Sequence, residues 1–151
     1  MSKNDFIIRV YGIYINANKQ LLLSDETYNG ISFTKFPGGG LEKGEGALDC
    51  LKREFLEEMD LEIMIKEHFY TTDFYQPSAF DESRQVISIY YVIEANDIIA
   101  YEKIANANAT DSKELNFKWI DLSKLNESHL TFPIDKKVVE LLSKKQHQGG
   151  V

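Results

Sequence analysis

Residues 38–61 read GGGLEKGEGALDCLKREFLEEMDL, and a change of character within this stretch decides the fold. Pro37-Gly38-Gly39-Gly40 follows an extended run over 31–36 and predicts a hard break. From Glu45 the period changes: Leu48, Leu51, Phe55 and Met59 recur at spacings of three or four, the apolar stripe of a helix. Two phosphate-loop readings fail here. A P-loop needs Lys and Ser/Thr after its second glycine, but Gly44 is followed by Glu45 and Gly46. A dinucleotide fingerprint from Gly38 needs a glycine where Lys43 stands. What remains is a glycine turn feeding a helix loaded with acid.

Outward from this segment, extended patterns dominate. Residues 6–15 are β-branched and aromatic, 16–19 form a turn, and 21–23 begin a return strand, so an opening hairpin is predicted. Residues 63–75 and 86–95 read as strands joined by a polar stretch. The second is apolar enough to be central and covered on both faces. Phe117-Lys118-Trp119-Ile120 is a short last strand. Pro133 fits the first position of a closing helix with Ile134, Val138, Leu141 and Leu142 on one face. The pattern predicts a mixed sheet with helices packed on it, one domain over 1–145, and a frayed tail over 146–151.

The 151 residues, 43% hydrophobic, suffice for a core without disulfides or a structural metal. With 17 Lys+Arg against 24 Asp+Glu the net charge is −7, which disfavours binding to a nucleic-acid polymer. A small phosphorylated ligand is compatible with that charge when a cation reverses the local field. The single cysteine, Cys50, excludes a disulfide framework and a thiolate cluster, and no apolar run is long enough for a membrane span. A cytoplasmic protein with no membrane partner is expected. His68, His129 and His147 have no metal-like spacing.

On the helix, Glu54 and Glu58 lie about 40° apart, with Glu57 about 60° to the other side of Glu54. Three like charges on one face repel one another. Either the face is simply solvated, or a hard cation such as Mg²⁺ removes the repulsion, using carboxylate oxygens, water and substrate phosphates as ligands. Arg53, four residues before Glu57, can hold one carboxylate in place.

The segment resembles the Nudix box, G-x5-E-x7-R-E-U-x-E-E-x-G-U with U a bulky apolar residue. Gly39, Glu45, Arg53, Glu54, Glu57, Glu58 and Leu61 occupy its fixed positions. Phe55 replaces the usual aliphatic residue, and Asp60 replaces the glycine that ends the helix, at a cost of about 1 kcal/mol if left-handed. The resemblance implies an α/β/α sandwich with a mixed β-sheet between helices. It implies hydrolysis of the diphosphate linkage in a nucleoside diphosphate joined to another moiety, with Mg²⁺ or Mn²⁺. It also implies a homodimer in many members. Nucleotide sugars, ADP-ribose and dinucleoside polyphosphates are the substrate types. By position, Glu54 and Glu58 correspond to principal metal ligands, and Glu57 to a third ligand or the orienter of water. Arg53 corresponds to a clamp on Glu57, with Gly39 and Glu45 in support. Glu114 resembles, by its spacing to Trp119, the loop acid that serves some members as general base.

Outside the box, Phe69, Tyr70, Phe74, Tyr75 and Phe80 gather near one strand and its loop, and some of them, Phe74 and Tyr75 foremost, are candidates for stacking on a base or sugar. Arg9, Lys35 and Arg84 are candidates for contacting phosphate. A non-catalytic ligand sensor with the same domain is the first rival reading. Isoprenoid diphosphate isomerisation, which needs an active-site cysteine, is the second.

Overall fold

The computed structural model describes residues 5–110 and 114–147. In chain order the elements are β1 (Phe6–Tyr14), β2 (Gln20–Tyr28), β3 (Ile31–Lys35), β4 (Gly38–Gly40), α1 (Ala47–Met59), β5 (Met64–Thr71), β6 (Gln85–Glu94), α2 (Asp97–Asn108), β7 (Leu115–Asp121) and α3 (Pro133–His147). One sheet has the order β4-β1-β6-β5, with β1 and β6 parallel; the other has the order β3-β2-β7 and is antiparallel. The expected mixed α/β architecture is present, divided between two sheets. α3 runs through 146 and 147, and the rest of the expected tail, 148–151, lies outside the described residues.

The opening hairpin is not formed. β1 and β2 share only the bridge Ile15↔Leu21 and then part into different sheets. The chain turns this corner on Asn16, whose side-chain oxygen accepts from the N–H groups of Asn18 and Gln20, both at 3.0 Å. The strands part because β1 is buried on both faces. Val10 and Tyr14 pack with α1 and α2, whereas Tyr11 and Ile13 pack with α3. Such a strand needs neighbours on both edges, and β4 and β6 supply them. The glycine run is likewise a strand rather than a break, pairing Arg9↔Gly40, Val10↔Gly39 and Tyr11↔Gly38.

α1 buries Cys50, Leu51, Phe55 and Met59; Leu48, expected on this stripe, is 42% exposed, and Cys50 takes the inward position. The helix ends at Asp60 in the left-handed conformation (φ 54°), where its N–H bonds the carbonyl of Leu56 at 3.0 Å. The Asp60 carboxylate pairs with Lys103 of α2. β6 is central, as expected, between β1 and β5. α2 was not evident from the sequence because only Ala100 and Ile104 of its residues are buried, while Ile98 and Ile99 face outward. α3 begins at Pro133 as expected and buries Ile134, Val138, Val139 and Leu142; Leu141 is only partly buried.

Candidate active site

The pairing of β4 with β1 lays a side-chain-free surface under α1. A Cβ on Gly39 would stand 2.3 Å from the carboxyl carbon of Glu54, so glycine at this position is what lets that carboxylate lie against the strand. Glu58 follows one turn on from Glu54, close enough for the Glu54 charge to act on it. Its Oε2 is buried with no hydrogen-bond partner. Burial pushes the Glu58 carboxyl up to about 8; the Lys35 charge works against that rise, and the charge of Glu54 adds to it. A buried carboxylate oxygen lacking a donor, beside a second carboxylate, is an arrangement that a divalent cation relieves, and the donors are the hard oxygens Mg²⁺ selects.

Arg53 organises the other acids. Its Nε donates to Glu45 Oε2 at 2.9 Å and its Nη2 to Glu45 Oε1 at 2.7 Å, a two-pronged pair. Nη1 donates to Glu54 at 3.0 Å and to Glu57 at 3.2 Å, and Nη2 also reaches the Gly40 carbonyl at 3.2 Å. The arginine therefore clamps Glu45 first and Glu57 with a single contact. Hydrogen bonds from Arg53 and from the backbone of Glu42 hold the Glu45 carboxyl down at about 2. The side chain of Glu57 is 58% exposed and shares Arg53 Nη1 with Glu54. Among the described residues no three His, Cys, Asp or Glu side chains converge on one point. Cys50 is buried against the carbonyl of Gly40, and burial raises its thiol to about 12, which leaves no activated nucleophile there.

A cavity of about 760 Å³ opens between the two sheets; no residue of α1 lines it, and its Arg9 and Lys35 connect it to the helix through their charge interactions with Glu54 and Glu58. Arg9, Lys35, Arg84 and Glu114, singled out in the sequence, all line it. Lys35 is already engaged: it is buried, 2.6 Å from Glu26, and donates to the carbonyl of Phe36 at 3.2 Å. Arg9 donates to the Tyr11 hydroxyl. Glu114 is exposed where β7 begins, and its backbone carbonyl accepts from Thr27 at 2.9 Å. Phe74 and Tyr75 do not line the cavity; they lie beyond the end of β5, 39% and 68% exposed.

Several lining residues carried no signal in the sequence. Ser88, Tyr90 and Asp135 are buried along it, with the Tyr90 hydroxyl donating to Asp135. Burial raises the Asp135 carboxyl to about 6 against the opposing effects of that hydrogen bond and of the Lys35 and Arg9 charges. An acid in the first turn of a helix reads as an ordinary dipole partner, which hid it. Glu26 stands in the polar run Ser24-Asp25-Glu26-Thr27 toward the end of β2, where nothing in the sequence marks it out from its neighbours.

Fold and site together define a two-sheet α/β protein whose acidic helix lies over a glycine strand at the side of a cavity bearing cations. The chain belongs to the Nudix family: the NUDIX domain model matches residues 6–142. Among solved structures, the E. coli ORF135 protein is 16% identical with a TM-score of 0.68, over 94% of this chain and 91% of that one. The MutT protein from Methanosarcina mazei Go1 is 16% identical with a TM-score of 0.67, over 97% and 99%. A UDP-X diphosphatase is 15% identical with a TM-score of 0.63, over 99% and 66%. At these identities the likenesses establish the fold. No curated protein sequence matches this chain.

Proposed function

We propose that the chain is a Nudix pyrophosphohydrolase. In this reading it hydrolyses the diphosphate linkage of a small nucleoside diphosphate joined to another moiety and depends on Mg²⁺, with Mn²⁺ a substitute. The observation that carries it is the Glu54–Glu58 pair beneath Gly39 with the partnerless buried oxygen of Glu58. Membership of the family and the likeness to a protein named as a diphosphatase support it.

Glu54 and Glu58 would hold the cation, with Glu57 on the solvent side. When bound, the cation supplies charge neutralisation and Lewis acidity toward the phosphoryl oxygens. Gly39 keeps the space that Glu54 occupies, and Arg53, tied to Glu45, fixes the helix surface on which the acids stand. Glu57, exposed and held on one side by Arg53, accepts the proton from the attacking water. The new P–O bond forms as the bridging P–O bond breaks, and the electron pair leaves with the departing phosphate. Arg9 and Arg84 at the cavity wall hold the phosphates, and the cavity takes the non-phosphate moiety. Glu114, on the cavity wall, is the alternative general base.

No helix among the described residues is long and apolar enough to cross a membrane. A cytoplasmic location is part of the same proposal, supported by the unpaired, buried Cys50; the homodimer that the resemblance implies is checked by sedimentation.

The test is a panel of nucleotide sugars, ADP-ribose, dinucleoside polyphosphates and nucleoside triphosphates with Mg²⁺, followed by product analysis. Cleavage within the diphosphate that stops on chelation is expected. Tight binding without turnover under any divalent metal would move the assignment to a ligand sensor.

A further inference from the structure

The chain crosses between the two sheets three times: through residues 16–19 from β1 to β2, through Phe36-Pro37 from β3 to β4, and through α2 from β6 to β7. At the first of these, the corner, Ile15↔Leu21 ties the strands. The cavity lies at the opposite end, among the first residues of β1 and β6 and the last of β2. At that end the sheets also meet through side chains. Residues 76–86 leave the β5–β6 pair as a small loop with its own stem: Val86 N–H bonds the Gln76 carbonyl at 2.9 Å and Ser78 N–H the Arg84 carbonyl at 2.8 Å. Its tip carries Phe80 over to the β2–β3 hairpin of the other sheet. There the Phe80 ring lies edge-on to Tyr28 at 5.3 Å and 5.6 Å from Phe33; Phe132, just before α3, is 6.2 Å away. The hairpin is a fixed partner, since Asn29 and Gly30 both take positive φ (52° and 75°) in a tight turn.

These rings are not ordinary core. Phe80 is 43% and Tyr28 55% exposed, and both line the cavity as well as bridging its outer end. A ring half in water and half over a cavity, borne on a loop, has a free face to offer a planar ligand and sets how far a ligand can extend.

We propose that Phe80 is a specificity-determining residue: it closes the outer end of the cavity against Tyr28 and Phe33 and limits the size of the non-phosphate group admitted. The proposal rests on the reading of the chain as a hydrolase of nucleoside diphosphate derivatives whose non-phosphate part enters this cavity.

The test compares wild type with Phe80→Ala and Phe80→Leu on two substrates, a nucleoside diphosphate sugar and a dinucleoside diphosphate, with thermal melting to confirm folding. In Phe80→Ala the ratio of kcat/KM for the larger over the smaller substrate rises about tenfold. The change falls in KM, with kcat held within about threefold, and Phe80→Leu restores part of the original ratio. An unchanged ratio in a folded Phe80→Ala variant overturns the proposal and leaves the hydrolase reading standing. If wild type turns over neither substrate, the hydrolase reading fails separately, and the same ratio is read from equilibrium binding of the two compounds; absence of binding, or an unshifted ratio, overturns the proposal as well.

Discussion

The acidic helix and the cavity are built in opposite ways. The helix site comes from one contiguous stretch, 38–61, in which β4 supplies a bare backbone and α1 sets three glutamates at fixed angular offsets. The cavity is assembled from both sheets, the 76–84 loop and the start of α3, brought together by a register that pairs Phe6 with Gln85 and Glu26 with Leu115. On the proposed function, chemistry is encoded locally and ligand fit globally, and the two regions should respond differently to substitution.

The sharpest probe of the local region is Glu58→Gln. Removing the charge of one of two paired carboxylates is expected to lower the hydrolysis rate by about 10³-fold or more. The melting temperature should hold or rise, because a neutral amide that can donate to Glu54 replaces the buried, unpartnered carboxyl. Initial rates and calorimetry on the same preparation check both halves. Persistence of activity would break the comparison outright.

Gly39→Ala tests the same region from the strand side. A methyl group 2.3 Å from the Glu54 carboxyl carbon must displace that side chain. Activity is expected to fall about 10- to 100-fold, and urea unfolding should report a loss of about 1–3 kcal/mol. Equal activity in the two proteins would mean that Glu54 does not work from this position.

In the assembled region the expected effects are smaller. Asp135 is buried with its carboxyl raised from an ordinary 3.8 to about 6, so the fold favours the protonated form. That contribution is full below pH 4 and is lost as pH rises through 6. Asp135→Asn removes the titration, so its stability relative to wild type should grow between pH 4 and 7, by up to about 3 kcal/mol. Denaturant melts across that range measure it, and parallel curves would contradict the assignment. Smallest of all, Phe74→Ala and Tyr75→Ala should leave KM within about twofold, since neither ring lines the cavity. A larger change would extend the ligand site beyond its present walls.

What was legible follows the same division. The spacing of Glu54, Glu57 and Glu58, the left-handed Asp60 and the start of α3 at Pro133 depend on residues a few positions apart, and all are found. The corner after β1 was not legible, because an apolar run that pairs with a neighbour looks the same as one that pairs with β6 far along the chain. Residues 38–40 look like a break because glycine has no strand preference; the strand exists because β1 offers an edge and Glu54 needs the room. Aromatic content drew attention to Phe74, Tyr75 and Phe80 together, and only the path of the loop separates Phe80 from the other two.

The parallel alignment of β1 with β6 has a consequence for how the molecule forms. The β2–β3 hairpin and the β5–β6 pair can close early from neighbouring sequence, but β1 lacks its long partner until β6 has been synthesised. A strand apolar on both faces therefore waits, edge bare, through the middle of translation, which makes the nascent chain most prone to aggregate at that stage and the completion of the larger sheet a late event in folding.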